Sequence, residues 1–378
     1  MITASIAPLV RGVAELETTA RGVRPHRLPG RARAQFPDPH LLMMERQPSG
    51  ARLVMATAAR ALRLTAHSSR LGYRGAERPR GRVDLVVDGE PFASAELDGG
   101  DLVEVDFRTG ASDFRPGPAH TVAFDGLPQG DKHLEIWLPH NEAMELIELQ
   151  ADEPVRPVEP GGRLWVHHGS SISQGSNAAS PTRIWPAVAA RAGGVELRNL
   201  GLGGNALVDP FTARAIRDAP ADLISVKLGI NVVNGDVMRP RSFTPAVDGF
   251  LDTIRDGHPD TPLLLVSPIF CGIHEDAPGP GAVDPGTLGT GQVAFTASGD
   301  DPSGRLTLRV IREALASLAA RRKDDPNLHY LDGTRLYGEA DAAERPLPDA
   351  LHPDTDTHRL IGERFARYAF ASDGPFAA

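Results

Sequence analysis

The chain has 378 residues, 41% of them hydrophobic and 24% charged, a globular balance too long for one ordinary core, which predicts two domains. Its formal net charge of −9 argues against nucleic acid or an anionic membrane surface as the main partner. A single cysteine, Cys271, rules out an intrachain disulfide and a thiolate metal cluster, which fits a reducing cytoplasm. The apolar stretch from Ile2 to Val10 has no basic segment before it and is broken by Arg11, so no secretory signal is expected. No apolar run approaches ~20 residues, so no membrane span is expected, and the predicted location is cytoplasmic.

Up to about residue 152 the hydrophobic period is that of strands. Arg82-Val83-Asp84-Leu85-Val86-Val87 runs into Asp88-Gly89, a hairpin-turn dipeptide. Leu102-Val103-Glu104-Val105-Asp106-Phe107 alternates as a half-buried antiparallel strand does, and so does His133-Leu134-Glu135-Ile136-Trp137-Leu138. Short strands at roughly ten-residue spacing predict an all-β sandwich over residues 1–155. The stretch from Asp152 to Gly162, with three prolines and two glycines, reads as a linker or domain seam, and the boundary falls near Pro160.

Over 160–378 the pattern becomes strand followed by helix. Candidate strands are 164–167, 195–200, 223–228, 263–267 and 329–331, with a helix around Ile184 to Arg191. Leu308, Ile311, Leu315 and Leu318 line one helical face, and Leu360, Ile361 and Phe365 mark a closing helix. Alternating strands and helices predict an α/β fold with a parallel sheet sandwiched by helices. Sites in such sheets lie beyond the carboxyl ends of the strands.

Three segments sit at such ends, and a fourth lies well after the last strand. His168-Gly169-Ser170-Ser171-Ile172-Ser173-Gln174-Gly175 follows the first strand, so a serine there presents its hydroxyl to the crevice and its N–H to a developing oxyanion. Asn199-Leu200-Gly201-Leu202-Gly203-Gly204-Asn205 follows the second, and its glycines let a backbone N–H approach a ligand; it lacks the spacing of a dinucleotide fingerprint. Lys227-Leu228-Gly229-Ile230-Asn231 follows the third, and Asn231 is a candidate side-chain donor. Pro348-Asp349-Ala350-Leu351-His352-Pro353 precedes the closing helix, with an aspartate that can orient a histidine able to deprotonate a serine. Each segment alone has an ordinary structural reading as a capped turn, a glycine turn, an Asx turn or an incidental pair.

Together the four segments resemble the SGNH (GDSL-type) serine hydrolase superfamily over roughly residues 163 to 370. Gly169-Ser170-Ser171-Ile172-Ser173-Gln174-Gly175 resembles the family's Gly-Asp-Ser-Ile-Thr-x-Gly block. The resemblance implies a flavodoxin-like sheet, Ser171 as nucleophile, Asp349 and His352 as its partners, and an oxyanion hole made by Ser171, Gly204 and Asn231. Ser170 replaces the family's aspartate, and Val232 stands where many relatives have another; both departures bear on packing or substrate choice. Ser170 and Ser173 stay rival nucleophiles, though the family register favours Ser171.

The N-terminal sandwich, with Arg33-Ala34-Gln35-Phe36-Pro37-Asp38-Pro39, is similar to a bacterial subgroup that includes a tetracycline-type polyketide tailoring acyltransferase. That resemblance implies antibiotic biosynthesis and an aromatic acyl group moved from coenzyme A to a polyketide hydroxyl. Acyl-coenzyme A would be a substrate; no metal or redox cofactor is required, and the partners are a small-molecule acyl donor and acceptor.

Other readings stay open. The chemistry serves equally a GDSL esterase or deacetylase acting on a small or carbohydrate ester. An α/β-hydrolase would need Gly-x-Ser-x-Gly, and position 173 is serine. His167, His168, Asp349, His352, Asp354 and His358 are potential metal ligands without recognised spacing. The sandwich could be a carbohydrate-binding or docking module with Trp137 or Phe107 as its platform, or could line the acyl or acceptor pocket. Residues 275–304, rich in Gly, Pro and Asp, are a candidate mobile lid.

Overall fold

The computed structural model describes residues 1–75, 78–106, 109–287, 290–291 and 293–377. An eight-stranded and a six-stranded sheet occupy the first part of the chain. Their strands send alternate side chains inward, as period-2 sequences must. Leu62, Leu64 and Ala66 of Ala61–Tyr73, Val83, Leu85 and Val87 of Arg82–Val87, and Leu134 and Ile136 of Lys132–Trp137 all join one buried cluster. Asp88 and Gly89 both have positive φ (49° and 84°), the conformation a two-residue hairpin turn between Val87 and Glu90 requires.

Two expectations change here. The alternating stretch at 102–107 forms the strand Asp101–Val105, antiparallel to Ser112–Arg115 but parallel to Ala61–Tyr73. Alternation reports burial and carries no information about strand direction; Phe107 lies outside the described residues. The proline-rich stretch after Asp152 is docked: Val155–Pro157 adds an edge strand to Arg52–Thr57, where proline is tolerated, and Arg11 donates to the Val158 carbonyl at 2.8 Å.

From Leu164 a five-stranded parallel sheet forms from Leu164–Gly169, Glu196–Gly201, Leu223–Lys227, Leu263–Val266 and Leu328–Leu331. In chain order of these five, the spatial order is 2-1-3-4-5, the flavodoxin-like arrangement. Both faces are covered. Val166, Ile224, Val226, Leu263 and Leu265 pack with Phe211, Phe243, Phe250, Leu308, Ile311, Leu315 and Leu318 on one side. Trp165, Leu223, Leu264 and Val266 pack with Trp185, Ile361 and Phe365 on the other. The sheet order reverses beside the first strand, so the loops after strands one, two and three open into one crevice.

A segment from the first part of the chain crosses onto this second core. The helices Gly30–Gln35 and Pro39–Glu45 bring Leu28, Ala32 and Leu41 into the cluster that holds Val166 and Phe211. Asp38 caps the second helix by accepting from the Leu41 N–H at 2.8 Å, with Pro39 at its first position. Arg27, fully buried, donates to the carbonyls of Asn199, Gly201, Met44 and Glu45. This strap is clamped to the base of the glycine loop. No helix among the described residues is long and apolar enough to cross a membrane.

Candidate active site

The first parallel strand ends at Gly169, and Ser170 caps the short helix Ser171–Gln174 by accepting from the Ile172 N–H. Ser171 therefore stands at the first helical position, with its N–H turned out of the helix. Its Oγ lies 2.9 Å from His352 Nε2, and His352 Nδ1 lies 2.8 Å from Asp349 Oδ2. An ionised carboxylate only accepts, so Nδ1 carries the proton and Nε2 is left to accept from the serine hydroxyl.

The aspartate is held by more than the imidazole. Asp349 Oδ1 accepts from the backbone N–H groups of Leu351 and His352 at 3.0 and 2.6 Å, and Asn177 Nδ2 donates to Oδ2 at 3.0 Å. Burial pushes the Asp349 carboxyl up, but its bonds to the His352 ring and to these N–H groups outweigh burial and hold it below the usual carboxylate value. The charge that orients the histidine is thereby kept.

The glycine loop approaches from the second strand. Gly204 has φ +70°, and a Cβ there would lie 2.7 Å from His40 Cε1 on the strap. Asn205 Nδ2 donates to His40 Nδ1 at 3.0 Å. Gln174, three residues after Ser171, accepts from the Gly203 N–H at 2.8 Å and donates to Gln47 and to the His140 carbonyl. From the third strand, Asn231 Oδ1 accepts from the Ala206 N–H at 3.0 Å, which leaves its Nδ2 as the side chain's donor. No acceptor among the described residues takes the N–H of Ser171 or Gly204.

The structure thus brings Ser171, Asp349 and His352 into one hydrogen-bonded chain, and Asn231 is tied to the glycine loop that carries Gly204. The rival serines are elsewhere: Ser170 and Ser173 are fully buried, and Ser173 Oγ bonds His167 Nε2 at 2.8 Å inside the core. His167 also meets Ser225, His168 meets the Leu200 carbonyl, and His358 meets the Ser176 carbonyl, so these histidines serve separate partners. Val232 is fully buried in the apolar core, and Ser170 works as a cap. Trp137 is 3% exposed beneath the Arg52 guanidinium and is no open platform. The sequence motif includes Gln174 but not its bonding role, and gives no sign of His40 or Gln47; a long polar side chain among small residues is the available signal.

The family model of the GDSL-like lipase/acylhydrolase family matches residues 168–360, more than half of the chain. The chain belongs to this family. It is a serine esterase or acyltransferase. Over 97% of the chain and 96% of the other, it is similar to the structure of the salicylyl-acyltransferase SsfX3 from a tetracycline biosynthetic pathway, with 28% identity and a TM-score of 0.79. The likeness extends through the N-terminal sheets, in line with the expected subgroup. A GDSL-like lipase from Bacteroides ovatus is similar over 94% of this chain and 93% of its own, at 20% identity and a TM-score of 0.66. A family two carbohydrate esterase from Clostridium thermocellum covers 84% of this chain and 91% of its own, at 16% identity and a TM-score of 0.56. The last two share the fold. No curated protein matches the chain.

Proposed function

We propose that this enzyme forms an acyl-Ser171 intermediate and passes the acyl group to an alcohol, with an aromatic acyl-coenzyme A as donor and a polyketide hydroxyl as acceptor. The observation that carries the first half is the relay from Ser171 Oγ to His352 Nε2 and from His352 Nδ1 to Asp349, at 2.9 and 2.8 Å. The specific substrates rest on likeness to SsfX3 along nearly the whole chain, sandwich included.

In the first step His352 Nε2 takes the Ser171 proton as Oγ bonds to the acyl carbon. The N–H groups of Ser171 and Gly204 and the Asn231 Nδ2 hold the oxyanion; one such donor is worth roughly 3–4 kcal/mol in the transition state. The thiol leaves with the proton from His352. In the second step an acceptor hydroxyl gives its proton to Nε2, its oxygen bonds the acyl carbon, and Ser171 Oγ departs and regains the proton. None of these steps calls on a metal or redox group. Residues 1–155 are proposed to serve the substrate pocket, since the strap places His40 beside Gly204.

Intact-mass spectrometry after mixing with salicylyl-, benzoyl- and acetyl-coenzyme A tests the donor. Accumulation of a salicylyl or benzoyl adduct, released faster by a phenolic or alicyclic alcohol than by water, is expected. Equal release by water and alcohols would make the enzyme an esterase.

A further inference from the structure

The glycine- and proline-rich insertion between residues 275 and 304 builds a small hairpin in which Gly281–Val283 pairs with Phe295–Ala297. This hairpin is fastened at both ends to the catalytic loops. The Phe295 N–H donates to the Asp349 carbonyl at 2.9 Å. Gly281 packs against the Asn234 side chain, on the same short helix as Asn231, so closely that a Cβ there would push that side chain aside. Arg305, just beyond the insertion, bonds Asp236 and the Gly279 carbonyl, closing the loop onto the segment just after that helix. The insertion therefore bridges the Asn231 and Asp349 segments.

Its consequence is at the histidine. The Phe295 ring stands edge-to-face against the His352 imidazole, with centroids 5.6 Å apart and planes at 78°. Water that hydrolyses an acyl-serine must sit beside His352 Nε2 and keep its other hydrogen bonds satisfied. An apolar ring packed against the imidazole supplies no hydrogen-bond partner to a nucleophile beside it. A bound alcohol suffers less, because its carbon substituent faces the ring in place of a second O–H.

We propose that Phe295 is a shielding residue that biases acyl-Ser171 toward alcohols and away from water. The proposal deepens, and rests on, the reading of Ser171 as the acyl carrier. In both outcomes the Ser171 Oγ–acyl bond breaks and a new carbon–oxygen bond forms. The proton of the incoming O–H passes through His352 Nε2 to Ser171 Oγ. Only the competing nucleophile differs.

The test is partition of p-nitrophenyl benzoate between benzoic acid and benzyl benzoate in the presence of benzyl alcohol. Wild type, Phe295→Ala, Phe295→Val and Ser171→Ala are compared. Valine suits a strand and cannot reach the imidazole, so it keeps the test alive if the alanine variant does not fold. Both Phe295 variants are expected to raise the acid-to-ester ratio about tenfold, the order of one net hydrogen bond, while total p-nitrophenol release stays dependent on Ser171. An unchanged ratio in the folded variants, or a wild type that yields only acid, would overturn the shielding role. Undiminished release by Ser171→Ala would instead overturn the nucleophile on which it rests.

Discussion

Gln174 Oε1 accepts the Gly203 N–H at 2.8 Å, so the turn that carries Ser171 and the loop that carries Gly204 are held by one side chain. The same amide donates to Gln47 on the strap and to the His140 carbonyl of the sandwich. Three segments far apart in the chain meet on a residue that is 5% exposed.

Replacing it by leucine keeps the volume and leaves the buried Gly203 N–H and Gln47 amide without partners. Gln174→Leu is expected to destabilise by about 2–3 kcal/mol and to lower kcat tenfold or more with a smaller change in KM. Urea unfolding and steady-state kinetics on an aryl ester check both numbers. A variant that lost stability but kept kcat would separate Gln174 from the glycine loop.

Asp349→Asn preserves shape and removes the charge that selects the His352 tautomer. Asparagine can turn its NH2 toward Nδ1 and drive the proton onto Nε2, where it can no longer accept from Ser171. A fall in kcat of roughly 10²–10⁴-fold is expected, with a near-native melting curve. Retained kcat would show that the N–H groups and Asn177 orient the loop without help from the carboxylate.

Buried imidazoles make the fold acid-sensitive. Burial pushes His140 down to about 3, His168 and His358 to about 4, and His167 well below the ordinary value. These groups stay neutral in the folded chain but protonate near ~6.5 in the unfolded chain, which therefore binds more protons as pH falls. Stability is full above that value and declines between pH about 6.5 and about 4, by at most ~1.4 kcal/mol per pH unit for each histidine. Urea midpoints should drop clearly from pH 7.5 to pH 5; equal midpoints would contradict the assignment.

Arg27 is fully buried, and burial pulls its guanidinium down to about 10, still charged at neutral pH. Arg27→Met would fill much of the same space but take a donor from four carbonyls, of which Met44 keeps the Gln47 N–H. Destabilisation of about 2–4 kcal/mol is expected, read by urea unfolding. A neutral effect would mean that water replaces the guanidinium there.

The α/β half was readable from sequence because the Ser171, Gly204 and Asn231 segments each follow a short apolar strand, and a buried parallel sheet sets such segments at one edge. Ser171, Gly204 and Asn231 are placed by that regularity together with the family resemblance, and His352 by its aspartate three residues earlier and the same resemblance. The strap's contacts with the second half are not legible for a physical reason. Arg27, His40, Gln47 and Ser49 act through contacts more than a hundred residues away in sequence, and no hydrophobic period marks them. Phe295 was hidden similarly, in a stretch whose glycines and prolines read as loop. Burial patterns also gave no hint that Asp101–Val105 pairs parallel to Ala61–Tyr73.

Trapping the acyl-enzyme with p-nitrophenyl benzoate, followed by intact mass and peptide mapping, tests the central claim most directly. The account predicts one benzoyl group on Ser171 in the wild type, none in Ser171→Ala, and loss of turnover in that variant. An adduct on another residue, or unchanged turnover by Ser171→Ala, would contradict it.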